Sequence, residues 1–240
     1  MRGLYGGVTH MSKRDLRRKP GNRAPKDRIY ILTEGKVTEI EYLREVSRRL
    51  DLPKELVIVK KALNTDPKGI VDELVSAKNE NVRLARRGND TLIDQWWAVF
   101  DTEGRPHDLG EAVQKARDNK VYLAISDPSF EFWLRLHFGY TTASYGSVNK
   151  LIKELRDNGY LPEYSKDNKH LDMDVLYPLL PDAIKNARLL RDNHTQLGND
   201  QPRTDCDLLI GAIALQSRIA QPSIGLTSFN PELLSMNTCH

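Results

Sequence analysis

Two cysteines in 240 residues, Cys206 and Cys239, are too few and too far apart to form a disulfide framework. With six scattered histidines they also make no zinc ligand pattern. No apolar run reaches the length of a membrane-spanning helix, and the N-terminal residues lack the apolar segment of a signal peptide. A cytoplasmic setting is therefore the expectation, with no membrane partner. No G-x-S-x-G elbow is present. Gly35-Lys36 looks like the end of a phosphate-binding loop, but Tyr30 stands where its upstream glycine belongs, which argues against that type of nucleotide binding.

What is present is an ordinary globular balance, 39% hydrophobic and 29% charged, in a chain long enough for one sizeable core. The formal net charge of +3 is unevenly spread. Residues 1–27 hold eight Lys or Arg against Asp15 and Asp27, so they carry +6 and the other 213 residues sum to −3. The basic excess belongs to an arm, which suits either contact with nucleic-acid phosphates or plain solvation.

Downstream, apolar β-favouring runs alternate with helical stripes. Arg28-Ile29-Tyr30-Ile31-Leu32 runs into Thr33-Glu34-Gly35, a buried strand that ends on a carboxylate and on a glycine free to adopt shapes that other residues resist. Thr38-x-x-Glu41 has capping-box spacing and is followed by the helical stripe Ile40, Leu43, Val46 and Leu50. A second strand is expected at Glu55–Lys60. A long helix should start at Asp66-Pro67 and end near Gly88. A third strand, Gln95–Phe100, stops at Asp101-Thr102-Glu103-Gly104. A helix is expected over Leu109–Asp118, a fourth strand over Val121–Ile125 ending at Ser126-Asp127-Pro128, and a short helix from Phe130 to Phe138.

This alternation predicts an α/β fold with a mainly parallel sheet flanked by helices. From Gly139 onward no strand stands out. Helices are expected at Ser147–Asn158, Asp172–Leu180, Asp182–Asn193 and Thr204–Ile219, with Tyr160–Leu171 as an exposed loop. The organisation predicted is a basic arm over residues 1–27, an α/β core over 28–138, a helical C-terminal extension packed on it over 139–221, and a tail over 222–240.

Two strands thus deliver acids to one edge: Glu34 from the first, Asp101 and Glu103 from the third. Ligands of open α/β sheets bind at the carboxyl ends of the strands. Clustered carboxylates repel unless a cation joins them, and an all-oxygen set suits Mg²⁺ or Mn²⁺. The competing reading makes Glu34 a helix cap and Asp101 and Glu103 loop residues. Asp127 and Glu131 are further candidate ligands, and His137 is a candidate for touching phosphate or orienting an acid. The alternative for that stretch puts Phe130, Trp133 and His137 on one core-facing side and pairs Glu131 with Arg135 at i+4. Lys36, Arg105, Lys185, Arg188 and Arg203 are candidate phosphate contacts, with Arg191 beside them; charged faces are usually just solvated.

Three ordered blocks resemble the RloB-like family of Toprim-fold proteins. They are Ile31-Leu32-Thr33-Glu34-Gly35-Lys36-x-Thr38-Glu39-x-x-Tyr42, then Val99-Phe100-Asp101-x-Glu103, then Ser126-x-Pro128-x-Phe130-Glu131-x-Trp133-x-x-x-His137. Looser matches continue through Ala183-x-x-Asn186-Ala187 and Pro202-x-Thr204, so the likeness spans about residues 28–215. The resemblance implies a Toprim-like core in which a glutamate after strand one and an acidic pair after strand three use divalent metal for strand cleavage or transfer. Carried onto this chain, Glu34 is the acid/base, Asp101 the first metal ligand and Glu103 the second, where Toprim domains have aspartate. The family is associated with bacterial phage-defence and restriction loci, often beside an ATPase. The implied activity is that of a metal-dependent antiphage nuclease. The implied partners are nucleic acid (DNA or RNA, tRNA included), an ATPase and a second copy of the chain. The rival expectation is a non-catalytic nucleic-acid-binding or assembly subunit of such a complex.

Overall fold

The computed structural model describes residues 26–102, 109–198 and 201–217. Its centre is a five-stranded sheet formed by β1 (Ile29–Thr33), β2 (Val57–Lys61), β3 (Gln95–Asp101), β4 (Tyr122–Asp127) and β5 (Arg203–Thr204), in the order β2-β1-β3-β4-β5. The first four run parallel, and β5 is antiparallel to β4. Crossovers over α1 (Thr38–Arg49), α2 (Pro67–Arg86) and α3 (Leu109–Asp118) connect the parallel strands. Then come α4 (Phe130–Leu136), α5 (Val148–Asp157), α6 (Met173–Leu176) with a 3-10 turn at Tyr177–Leu179, α7 (Leu180–Leu197) and α8 (Cys206–Leu215).

Strand residues alternate between two buried faces, as a sheet covered on both sides requires. Ile29, Ile31, Val57, Val59, Trp97 and Val99 face one core, shared with α1, α4, α5, α7 and α8. Leu32, Trp96, Ala98, Phe100, Leu123 and Ile125 face the other, closed by α2 and α3. The capping signals at α2 act as the sequence suggests: the Asp66 side chain accepts from the Gly69 N–H at 2.7 Å, with Pro67 in the first turn. Past α5, Gly159 takes φ of +69°, a left-handed conformation that ends the helix without a Cβ clash.

The structure corrects the sequence reading in three places. The half after Gly139 does contain a strand. β5 extends the sheet beside β4, and α8 packs against β4 and α1, so one hydrophobic core crosses the boundary drawn at residue 138. The segment 160–171 is no exposed loop, because Leu161, Tyr164 and Leu171 are buried. α1 has Val37 at its N-cap position without a side-chain cap. Thr38 Oγ1 instead meets Tyr164 Oη at 3.0 Å and the Lys169 carbonyl at 3.3 Å, while Glu41 meets His170. Residues 1–25 of the basic arm and residues 218–240, which hold the tail, lie outside the described residues.

Candidate metal and phosphate site at the carboxyl edge

Register decides which side chains meet at the edge. β1 and β3 are neighbours with Thr33 opposite Val99, so the chain leaves β1 alongside the last residues of β3. The Glu34 N–H continues the ladder by donating to the Val99 carbonyl at 2.9 Å. The Asp101 N–H then donates to Glu34 Oε2 at 3.1 Å. Two acids 67 residues apart in sequence are thereby joined. Both residues are partly exposed.

The row continues across the sheet. Asp101 is opposite Ser126 of β4, Ser126 is opposite Thr204 of β5, and Asp127 is opposite Arg203. The short antiparallel strand therefore carries Arg203 to the acidic edge. Ser126 Oγ and Thr204 Oγ1 lie 3.1 Å apart, and Cys206 Sγ is 3.6 Å from Ser126 Oγ. Burial pushes the Cys206 thiol up to about 12; the hydroxyls of Thr204 and Ser126 oppose that, and the nearby Asp101 charge adds to it. Cys206 therefore stays a thiol at neutral pH and is no nucleophile here.

A second group of acids lies behind Glu34. Thr33 Oγ1 donates to the Gly35 carbonyl at 3.0 Å and tightens the turn. A Cβ on Gly35 would overlap the carboxylate of Glu39. Gly35 does not adopt a left-handed φ, so the glycine is required for room and not for an unusual backbone shape. Glu39 accepts from the backbone N–H groups of Gly35 and of Glu39 itself, at the start of α1. Its carboxyl is pushed up to about 7, first by burial and then by the charges of Glu131 and Glu34, despite those bonds. In the sequence the capping-box spacing points to Glu41, and the one signal for Glu39 is its place in the first matching block.

Glu131 is buried, and its partner is not Arg135. Lys169 Nζ lies 2.7 Å from Glu131 Oε1, and the Tyr164 hydroxyl donates to the same oxygen at 2.9 Å. Burial alone would raise the Glu131 carboxyl, but the Lys169 ammonium, the Ser129 hydroxyl and its own backbone N–H together outweigh it and the net direction is downward. Arg135 pairs with Glu154 and donates to the Gly139 carbonyl. Glu131 is thus committed to holding the 160–171 segment against the site.

His137 is also placed differently from the phosphate contact that its residue type suggested. It is 2% exposed, with Nε2 at 2.9 Å from the Tyr42 hydroxyl and Nδ1 at 3.1 Å from the Trp133 carbonyl. Burial pulls its pKa down to about 4 against the pull of the backbone carbonyls. Both nitrogens are used inside the core, so the ring is a neutral packing element.

Asp127 is buried, with a cis bond to Pro128. Of the phosphate candidates, Arg203 is at the edge, with its guanidinium 4.0 Å from Asp205, and Lys36 is exposed just past Glu34. Lys185 and Arg188 belong to α7, which packs on α4, β5 and α8. Arg191 is engaged by Asp207 at 2.6 and 3.2 Å. Glu103 and Arg105 lie outside the described residues. Among the described residues, no three His, Cys, Asp or Glu side chains converge as a metal-holding group. No described helix is long and apolar enough to cross a membrane.

Fold and edge together define an α/β protein whose parallel sheet gathers acids at its carboxyl ends. The particular family follows from comparison: a model of the RloB-like protein family matches residues 29–213, and the chain belongs to that family. No curated protein matches the chain. No solved structure matches it either.

Proposed function

We propose that this chain is a metal-dependent nuclease acting on nucleic-acid phosphodiesters, with Glu34 and Asp101 at the centre of the site. The observation that carries this reading is the Asp101 N–H to Glu34 Oε2 bond, which holds the Glu34 carboxylate against the Asp101 main chain and brings two partly exposed acidic residues together at the ligand-binding end of a parallel sheet. The donor set fits the implied ion. Mg²⁺ is commonly held by one or two carboxylates, with substrate phosphates and waters completing the shell, so a three-residue protein cage is not required. The resemblance adds Glu103 as a further acid and supports a Toprim-type site in an antiphage effector.

Mg²⁺ or Mn²⁺, when bound, would supply positive charge to the reacting phosphate. The chain's own residues do the rest. Asp101 and Glu34 would hold the ion, and the backbone donor keeps Glu34 oriented and favours its charged form. Arg203, at the end of β5, would draw the phosphodiester toward the acids. Glu39, whose carboxyl is raised by burial and by the charges of Glu131 and Glu34, would stand behind Glu34 as a candidate proton carrier.

The test is cleavage of tRNA, single-stranded DNA and duplex DNA in Mg²⁺ and in Mn²⁺. Asp101→Ala should abolish turnover while leaving the far-UV spectrum and melting curve unchanged. A fully active Asp101→Ala refutes the assignment. Arg203 and the exposed Lys36 at the same edge favour a second reading, a non-catalytic nucleic-acid-binding or assembly subunit of a defence complex with an ATPase. That reading predicts binding that needs no divalent ion and weakens steadily with salt.

A further inference from the structure

The first turn of α1 is held from outside the helix. Val37 stands at its N-cap position and gives it no side-chain cap. The stretch between α5 and α6 reaches across to it instead. Tyr164 Oη lies 3.0 Å from Thr38 Oγ1, and the Lys169 carbonyl accepts from the same hydroxyl at 3.3 Å. One residue on, His170 Nδ1 is 3.0 Å from Glu41 Oε2. Glu131 ties these contacts together, because its Oε1 accepts from both the Tyr164 hydroxyl at 2.9 Å and Lys169 Nζ at 2.7 Å. Lys169 Nζ is in turn 3.4 Å from Tyr164 Oη. Thr38, Glu131 and Tyr164 are all buried, so the network sits where water does not compete and its geometry is strongly enforced.

α1 passes that restraint to the acidic edge. Glu39 belongs to the same first turn and is buried. Its carboxylate accepts from the N–H of Gly35 as well as from its own N–H, and it lies where a Cβ on Gly35 would go. Gly35 directly follows Glu34, whose N–H is fixed on the Val99 carbonyl and whose carboxylate receives the Asp101 N–H. A continuous path of contacts therefore runs from Tyr164 and Lys169 through Thr38, Glu39 and Gly35 to Glu34.

We propose that Tyr164 and Lys169 are positioning residues for the acidic edge: by fixing the first turn of α1 they keep Glu39 on the Gly35 peptide, and so fix the turn that aims the Glu34 carboxylate at the Asp101 N–H. The proposal rests on Glu34 and Asp101 being the metal-holding pair of the proposed site, while the geometry it invokes exists without metal. Partners that orient metal-holding carboxylates typically matter about 10–100-fold for metal affinity. Filling the core would need only the Tyr164 ring and the Lys169 stem. Their polar ends converge on one carboxylate oxygen and on the start of α1, which packing alone does not require.

The experiment is amide hydrogen exchange by NMR, in EDTA, on wild type, Tyr164→Phe and Lys169→Met. Tyr164→Phe keeps the buried ring, removes only the hydroxyl, and decides alone if Lys169→Met fails to fold. Lys78→Met is the control for lost stability. Lys78 lies on α2, which covers the opposite face of the sheet, and its ammonium holds the Asn119 and Lys120 carbonyls at 2.6 and 2.9 Å. In Tyr164→Phe and Lys169→Met, exchange of the Gly35 and Asp101 N–H groups should speed up roughly tenfold relative to those of Ile31 and Val99, about the worth of one hydrogen bond to a charged group. Lys78→Met should leave these ratios at the wild-type value. By calorimetry, the two segment variants should also bind Mn²⁺ about 10–100-fold more weakly than wild type. Unchanged exchange ratios in the segment variants, the same change in Lys78→Met, or wild-type Mn²⁺ affinity in both segment variants overturns the proposal. A wild type that binds no Mn²⁺ sinks the metal reading of the site, and the exchange ratios still decide whether Tyr164 and Lys169 position Glu34.

Discussion

Replacing Lys169 with methionine isolates the contact that ties the second half of the chain to the acidic edge. Glu131 is only 6% exposed at its side chain, and Lys169 Nζ at 2.7 Å is its counter-ion. Removing one partner of a buried pair typically destabilises by about 3–5 kcal/mol, because the remaining charge stays desolvated. Lys169 is 31% exposed, so solvent screens part of the interaction, and the Tyr164 hydroxyl still donates to Glu131. The expected loss is therefore about 2–3 kcal/mol, read in urea as a lower midpoint with an unchanged slope. For a domain of this size that is a drop in melting temperature of roughly 5–10 °C. Lys169→Met should also reverse the sign of the Glu131 contribution. In the wild type its lowered carboxyl gives stability above pH 4.5 that is lost at lower pH. Without Lys169, burial dominates, and the stability is lost as pH rises instead. The decisive comparison is Glu131→Gln/Lys169→Met, which removes both charges and should recover most of the loss. If the double variant equals the sum of the singles within about 0.5 kcal/mol, the two side chains are not coupled and the reasoning fails.

Glu39 and His137 should oppose each other in acid. Glu39, raised from 4.5 to about 7, gives stability that is full below pH 4.5 and lost as pH rises through 7; His137, lowered from 6.5 to about 4, gives stability that is full above pH 6.5 and lost as pH falls through 4. Each spans about 3 kcal/mol, so the two nearly cancel between pH 4.5 and 6.5 in the wild type. Glu39→Gln should unmask the His137 limb as a steep loss between pH 6.5 and 4 in urea midpoints; a profile parallel to wild type would contradict the assignment of Glu39. By NMR, the His137 ring should remain neutral down to about pH 4, and titration near 6.5 would place it outside the core.

How far the sequence could be read depended on whether a feature was local. α3 falls on Leu109–Asp118 as its periodicity predicts, and β1, β3 and β4 follow their apolar runs because both faces of each are buried. Glu34 and Asp101 were legible as strand-end acids, and parallel register brought them together. What escaped was set by distant partners. The box at Thr38 and Glu41 has suitable spacing, yet Tyr164 and Lys169 draw the Thr38 hydroxyl away from the cap. Glu131 has Arg135 at the ideal local spacing but pairs 38 residues on. β5 is two residues long, too short for any period, and only its pairing with Ser126 and Asp127 brings Arg203 to the carboxyl edge. The 160–171 segment reads as polar because Lys166, Asp167, Asn168 and Lys169 dominate it, while Leu161 and Tyr164 anchor it underneath.

Calorimetric titration of Mn²⁺ into wild-type protein and into Glu34→Gln/Asp101→Asn tests the central claim most directly. The account predicts a saturable binding isotherm for the wild type that disappears in the double variant, with both proteins equally folded. Equal binding by the two, or none by either, would contradict it and leave Glu34 and Asp101 as strand-end caps.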